Sequence, residues 1–562
     1  MTSHVVLGQP ALFQLTDTAE LPEDMSERER RLLVGALNFH ALMAPERDLL
    51  VHAYDGGNES LPRTTEDSTF TGMSRAYSAR LFSLRMRSDV LTEKRTSIEA
   101  EDEANALIST PYRHVHISRD DVLAYDPPRD VARDPLRRVM RKVRTRYPLL
   151  YDELRDIELR RYREQIATPA QRRRYADEFL PGGHHEDSSI VPAPQPPDGA
   201  PRAVLFGLHW FELGGAERWA FETVRIAREA GYLPIVLTNR DSHQPWITRS
   251  ELDGALVIPF SEHTVHSQTP GIEQVLRAIL RTFDVRGVVV HHNQWLYDRL
   301  PWIVASRPGI PIVDSTHIVE HRGGGYPRSS VIADPSITTH HVISPNLASW
   351  MTDVQRVDSG KVIMAPLGGL TVSARDADFR PRADGAPFVV AFIGRMSRQK
   401  APEVFCAAAE RLHALDPHMR FVMHGDGEMS GWVDELIAAH GLVAVTTRRD
   451  SSISVEHTFR EAHVLAVTSH NEGLTLTTLE AVAHGVPVVS TDVGAQSDVV
   501  PEAGLVTSRV TRSVAEFVDR ILALSRDEEV RRRLWSAERA AEKALLAHRS
   551  ASEWFTEEVA GW

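Results

Sequence analysis

From about residue 202 onward, hydrophobic and polar positions alternate between short apolar runs and longer amphipathic stretches. The runs 203–207, 232–238, 287–290, 310–313, 341–344 and 361–364, and later 388–393, 421–424, 462–467 and 487–490, have the length and β-branched content of buried strands. Between them, segments such as 217–230, 475–484, 514–524 and 528–546 repeat apolar residues three and four positions apart, the spacing of a helix with one buried face. Gly231 and Gly485 stand where two of these helices should end. Strand, loop, helix and strand in succession make βαβ units, so the pattern predicts an α/β protein with parallel sheets.

The first 180 residues follow a different pattern. Segments 27–40, 71–86 and 134–147 carry helical spacing and clear alternation is scarce, which predicts a mainly α region. Residues 181–201, with His184 and His185 at their polar end, are too rich in Pro, Gly and polar side chains to build a core and are expected to be a linker. A second polar, turn-rich stretch covers 371–387. The expected organisation is therefore an N-terminal domain over 1–180, a linker over 181–201, one α/β lobe over 202–370, an interlobe linker over 371–387, a second lobe over 388–535, and a terminal helix over 536–562.

Charge narrows the function classes. A net charge of -13 argues against general nucleic-acid binding. Within that acidic chain, residues 133–174 hold about 14 Arg/Lys against about 6 Asp/Glu. That stretch is either a solvated helix face laced with ion pairs or a surface for anionic headgroups or a partner. The single cysteine, Cys406, lies in an apolar helical pattern as a structural thiol and suits a reducing compartment. The opening residues lack the basic start and apolar run of a signal peptide, and no window has the roughly 18 apolar residues of a membrane span. A cytoplasmic location, with peripheral contact at the inner membrane face as the variant, is expected.

Candidate chemistry sits just beyond strand ends, where open α/β sheets bind ligands. After 462–467 comes a turn with Glu472 and Gly473, followed by the amides of Leu474, Thr475 and Leu476 at a helix start, a place suited to a phosphate. Glu480 lies two turns into that helix and is either a sugar- or ribose-binding acid or a surface carboxylate. After 388–393, Gly394-Arg395-Met396-Ser397-Arg398-Gln399-Lys400 places two cations where both can reach one diphosphate. After 203–207, Gly214 and Gly215 permit close approach to a ligand before Ala216-Glu217-Arg218. His291, His292, His317 and His321 match no metal-ligand spacing, and Asp376-Ala377-Asp378 falls in a linker rather than at a strand end, so no metal is expected.

The words around these residues resemble a known family. E-G-L-x-L-x-x-L-E-A-x-A-x-G-x-P-V-V over 472–489, G-R-x-x-x-x-K over 394–400 and G-G-A-E-R over 214–218 are similar to the signatures of the retaining glycosyltransferases of family 4, which have the GT-B fold of two facing Rossmann-like lobes. The likeness spans roughly 202–562; Ala365-Pro366-Leu367-Gly368 replaces the usual interlobe Asn-Gly, and Thr446–Ser454, where the family contacts the base, matches poorly.

The resemblance implies that Glu472 and His317 face the transferred sugar, Glu480 holds the ribose, and Arg395 and Lys400 clamp the diphosphate. Gly394, Gly473, Leu474, Thr475, Gly214 and Gly215 would complete the donor site, with no metal or other cofactor. It also implies transfer from a nucleotide-sugar to a glycan or glycolipid hydroxyl, as in bacterial surface glycan synthesis, and a terminal helix whose Trp554, Phe555 and Trp562 anchor it on the first lobe. A nucleotide-sugar epimerase, or a non-catalytic nucleotide-sugar-binding module with a partner-recruiting N-terminal domain, are the competing expectations.

Overall fold

The structure, a computed structural model, describes residues 4–55, 80–91, 111–119, 143, 147–155, 166–172, 192–212, 214–240, 242–260, 273–320, 323–368, 378–427 and 429–562. The N-terminal region opens with a hairpin, β1 (His4–Val6) and β2 (Gln9–Ala11), followed by β3 (Phe13–Asp17) and the helix Glu27–Met43. Ser26 starts that helix with a capping box: its hydroxyl accepts from the Glu29 amide while Glu29 accepts from the Ser26 amide. Strands β4 (Asp48–Asp55), β5 (Arg80–Ser88) and β6 (Tyr112–Ile117) join β3 in a four-stranded mixed sheet of order β3-β5-β4-β6.

Among the described residues the expectation of a mainly helical N-terminal region is corrected: helix Glu27–Met43 lies on a four-stranded sheet, with a further helical segment at 148–155. The reason is visible in β5, where buried Phe82, Leu84 and Met86 alternate with Arg and Ser, a period of two that a window over 71–86 reads as helical. Most of 134–147 lies outside the described residues.

The helix Glu27–Met43 belongs as much to the next unit as to its own. Leu33 and Leu37 share one continuous core with Leu256, Ile258 and Leu276 of the first lobe, and Arg31 donates to the Ile247 carbonyl at 3.0 Å and pairs with Asp253 at 2.5 Å. The N-terminal region thereby covers β9, the edge of the first-lobe sheet, instead of leaving it open to pairing. Of the stretch expected to be a linker, 192–201 is anchored: Arg307 donates to the carbonyls of Ala193 (3.1 Å) and Pro194 (2.6 Å).

The first lobe contains β7 (Arg202–Leu208), β8 (Leu233–Thr238), β9 (Leu256–Pro259), β10 (Asp284–His291), β11 (Ile312–Thr316), β12 (Thr339–Val342) and β13 (Val362–Met364). All are parallel, in the order β13-β12-β11-β10-β7-β8-β9. The second lobe has β14 (Val389–Ile393), β15 (Arg420–His424), β16 (Thr446–Arg449), β17 (Val464–Val467), β18 (Val488–Thr491) and β19 (Leu505–Val506), again parallel, in the order β16-β15-β14-β17-β18-β19. Two doubly wound lobes facing each other are the GT-B architecture. In each sheet the order reverses once, between β7 and β10 and between β14 and β17, and crevices open at the carboxyl ends of those pairs.

After helices Val510–Arg526 and Glu528–Leu546 on the second lobe, the chain returns to the first with helix Ala551–Ala560, which lies on helix Gly215–Glu229. Trp554 stacks on His341 at 5.0 Å, and Phe555 meets Trp219 edge-on at 6.2 Å. Trp562 lies over Gly287, where a Cβ would overlap its ring, and its main-chain oxygen accepts from Arg202 and from the Tyr232 hydroxyl, each at 3.0 Å. Among the described residues no helix is long and apolar enough to cross a membrane. Trp562→Ala should lower unfolding stability by about 3 kcal/mol, the usual cost of emptying an aromatic site, as measured by denaturant titration.

Candidate active site

The β14/β17 crevice places two loops side by side. The first, 394–400, ends in the short turn Arg398–Lys400, with Ala401 in the left-handed region (φ 49°) before helix Pro402–Leu415. The second, 468–475, leads into helix Leu476–Ala483, which Thr475 caps by accepting from the Thr478 amide at 3.3 Å. Backbone and side-chain bonds zip the loops together: the His470 amide donates to the Gln399 carbonyl (2.8 Å) and Gln399 Nε2 to the Asn471 carbonyl (3.0 Å). At the head of the zip, Lys400 Nζ donates to Glu472 Oε1 at 2.5 Å, and the Ser469 hydroxyl donates to the same oxygen at 2.7 Å. Glu472 is buried, so its charge needs this cation.

The first lobe closes against these loops. The main chain of Gly473 lies against the His317 carbonyl so closely that a Cβ would overlap it. Glycine is therefore demanded here by a neighbour from the other lobe rather than by its own backbone angle; the left-handed turn is supplied by Gly494 (φ 58°). His317 is buried, with Nε2 at 3.3 Å from the Ser315 hydroxyl and its ring edge-on to His292 at 5.3 Å. Burial, reinforced by the neighbouring imidazoles, drives its pKa well below the ordinary histidine range, so it is a neutral donor or acceptor.

Gly214 caps helix Gly215–Glu229, and Gly215 faces Leu476 of the second lobe, from whose Cδ1 a Cβ would be 3.1 Å away. Leu474 is buried beside it in the interlobe core. Glu480 lies 3.6 Å from Arg218 of the first lobe; burial pushes its carboxyl up, and the Arg218 charge opposes that. Arg395 faces Glu212 of the first lobe: burial raises that carboxyl, while the Ser242 hydroxyl and the Arg395 charge lower it. Gly394 donates its amide to the His424 carbonyl at 3.0 Å and its own carbonyl lies against Gly425.

Of the expected site residues, His317, Glu472 and Gly473 line one interlobe cavity, and contacts join Lys400 to Glu472, Gly473 to His317, and Gly215 to the helix that Thr475 caps. A cavity of about 260 Å³ remains between the lobes, lined by His317, Trp350, Asn471, Glu472 and Gly473 and, from the N-terminal region, Ile166. Ile166 and Glu212 carry no motif of their own, and Arg218, which meets the expected Glu480, stood in the quoted G-G-A-E-R without a role.

Glu217 is also new. His209 Nε2 lies 3.2 Å from its Oε1 and Trp210 Nε1 donates to that oxygen at 3.0 Å. Burial would raise this carboxyl, but the bonds and charge from His209 and Trp210 bring it down to about 2. The clustered histidines find protein partners, His291 with the Thr223 hydroxyl at 2.9 Å and His292 stacked on Tyr326 at 4.9 Å. Among the described residues they do not gather into a metal-ligand set. His321 and the first two residues of Asp376-Ala377-Asp378 lie outside the described residues.

Residues 387–527 match the family model described as glycosyl transferases group 1. The D-inositol 3-phosphate glycosyltransferase of Actinosynnema mirum is 30% identical over 324 residues, covering 51% of this chain and 78% of that protein. The enzyme of the same name from Mycobacterium leprae is 27% identical over 293 residues, covering 47% of this chain and 66% of its own. Among solved structures, HepE of Anabaena with UDP-glucose superposes with a TM-score of 0.48 at 15% identity, over 64% of this chain and 98% of that one. The chain belongs to the group 1 glycosyltransferases and is a glycosyltransferase enzyme.

Two outcomes follow from this geometry. Gly473→Ala should part the lobes at His317, lower turnover by about 100-fold and lower unfolding stability by about 1–3 kcal/mol. Glu217, ordinary value 4.5 and here about 2, stabilises the fold fully above pH 4.5, and that contribution is lost as pH falls toward 2. Glu217→Gln should flatten the stability profile over that window by on the order of 3 kcal/mol, measured by denaturant unfolding at successive pH values.

Proposed function

We propose that this enzyme moves a sugar from a nucleotide-sugar to an acceptor hydroxyl with retained anomeric configuration. The observation that carries the proposal is the Lys400–Glu472 contact of 2.5 Å, made by the two loops of the β14/β17 crevice and facing His317 across the cleft. Departure of a nucleoside diphosphate builds negative charge on phosphate and positive charge on the sugar carbon. Arg395, Lys400 and the amides after Gly473 offset the first without a metal ion; Glu472 and the neutral His317 orient the sugar through hydrogen bonds. Glu480 holds the ribose, for which its contact with Arg218 must give way.

The acceptor enters from the first-lobe side of the 260 Å³ cavity. The relatives' activity makes D-inositol 3-phosphate the first acceptor to test, ahead of surface glycans and glycolipids reached from the inner membrane face.

The decisive experiment is a thermal-shift and turnover screen with UDP-, GDP- and ADP-sugars, run on the wild type, Arg395→Ala and Glu480→Ala. One nucleotide series should stabilise the wild type, and Arg395→Ala should lower kcat/KM by about 10²–10³-fold. Product anomers read by NMR test retention, and full activity in chelator tests metal independence. Conversion of donor without any acceptor would show an epimerase, and no shift with any donor would sink the enzymatic assignment of these loops.

A further inference from the structure

The N-terminal region reaches the catalytic cleft twice, once on each lobe. Residues 148–155 are helical and lie on the second lobe, where Leu149 packs against the core and Glu153 accepts from the Thr511 amide (3.0 Å) and hydroxyl (2.6 Å). Residues 166–172 lie on the first lobe: Trp350 Nε1 and Gln355 Nε2 each donate to the Ile166 carbonyl at 3.1 Å, and the Ala170 amide donates to Gln355 Oε1 at 2.9 Å.

The first anchor contributes to a buried ionic cluster. Asp152 pairs with Arg398, whose guanidinium also lies over the Tyr151 ring at 4.5 Å. Asp152 Oδ2 is 3.8 Å from His470 Nε2, which is 3.2 Å from Glu403 Oε1. The side chains of Asp152 and Glu403 are 2% and 0% exposed, so neither charge is relieved by water. Asp152, Glu403 and His470 lie close enough to hold a cation, but Arg398 already supplies positive charge to the same carboxylate and disfavours one.

Asp152 stands at the junction of the two donor loops, touching Arg398 in the first and His470 in the second. Arg398 begins the turn that ends in Lys400, and the Thr468 hydroxyl donates to the Lys400 carbonyl at 3.0 Å. We propose that Asp152, supplied by the N-terminal region, is a positioning residue of the donor site: it fixes Arg398, and through it sets where Lys400 meets the departing phosphate. The proposal rests on the assignment of 394–400 to the donor diphosphate. The N-terminal region is then part of the active site, since Ile166, in its second anchor, walls the cavity.

The test uses the full chain and calorimetric titration with UDP, GDP and ADP, together with donor and acceptor KM. Asp152→Asn should weaken nucleoside diphosphate binding and raise donor KM by about 10–100-fold, leaving acceptor KM nearly unchanged. Asp152→Glu should recover most of the loss, and Arg398→Lys, which keeps the charge but not the paired geometry, should fall between; either remains informative if Asp152→Asn fails to fold. Binding and KM within twofold of wild type for Asp152→Asn, with Arg395→Ala still defective, would overturn this role alone. Normal binding in both variants would overturn the diphosphate assignment as well. A divalent-ion requirement that Asp152→Asn removes would replace the ion pair by a cation site and also overturn the proposal.

Discussion

The reversal of strand order in each sheet is the constraint on which the site depends. Where β14 lies beside β17, the chains leaving their carboxyl ends turn to opposite faces of the sheet, and the space between them is not filled by a crossover helix. The loops 394–400 and 468–475 have no other place to go than side by side. The Lys400–Glu472 contact follows from that placement, since a buried carboxylate at the mouth of the crevice is tolerable only with a cation beside it. In the first lobe the same reversal, between β7 and β10, puts the glycine loop at 214–215 next to the histidines that end β10.

Closing the two crevices on one another needs contacts of low bulk and matched charge. Gly473 against the His317 carbonyl and Gly215 against Leu476 supply the first; Arg218 with Glu480 supplies the second, with the Arg395 charge acting on Glu212. The charged pairs are the replaceable ones. A substrate that offers hydroxyls to Glu480 and phosphate to Arg395 substitutes for protein partners, whereas nothing substitutes for the absent Cβ atoms. The returning helix Ala551–Ala560 fastens the chain that leaves the second lobe to the first through aromatic packing.

The additions to this plan come from the first 200 residues. Their helix Glu27–Met43 shields the edge strand of the first lobe, and their segments 148–155 and 166–172 contact both lobes next to the cleft. A region with its own sheet thus shares one apolar core with the first lobe.

What the sequence by itself determined is local. Continuous apolar runs of strand length, helical spacing between them, glycines and charges just past strand ends: each is a short-range property, and together they specify two α/β lobes and nearly every loop that borders the cleft. The same short-range reasoning misread β5, where Leu, Phe and Met alternate with Arg and Ser in a window that admits both periods until a partner strand selects one. Tertiary structure alone decided the partners. Arg218 meets Glu480, Asp152 meets Arg398, Ile166 reaches the cavity and Gly473 must lack a side chain because His317 is there. These are contacts between residues more than a hundred positions apart, and their energy depends on distance in space, which local spacing in the chain does not encode.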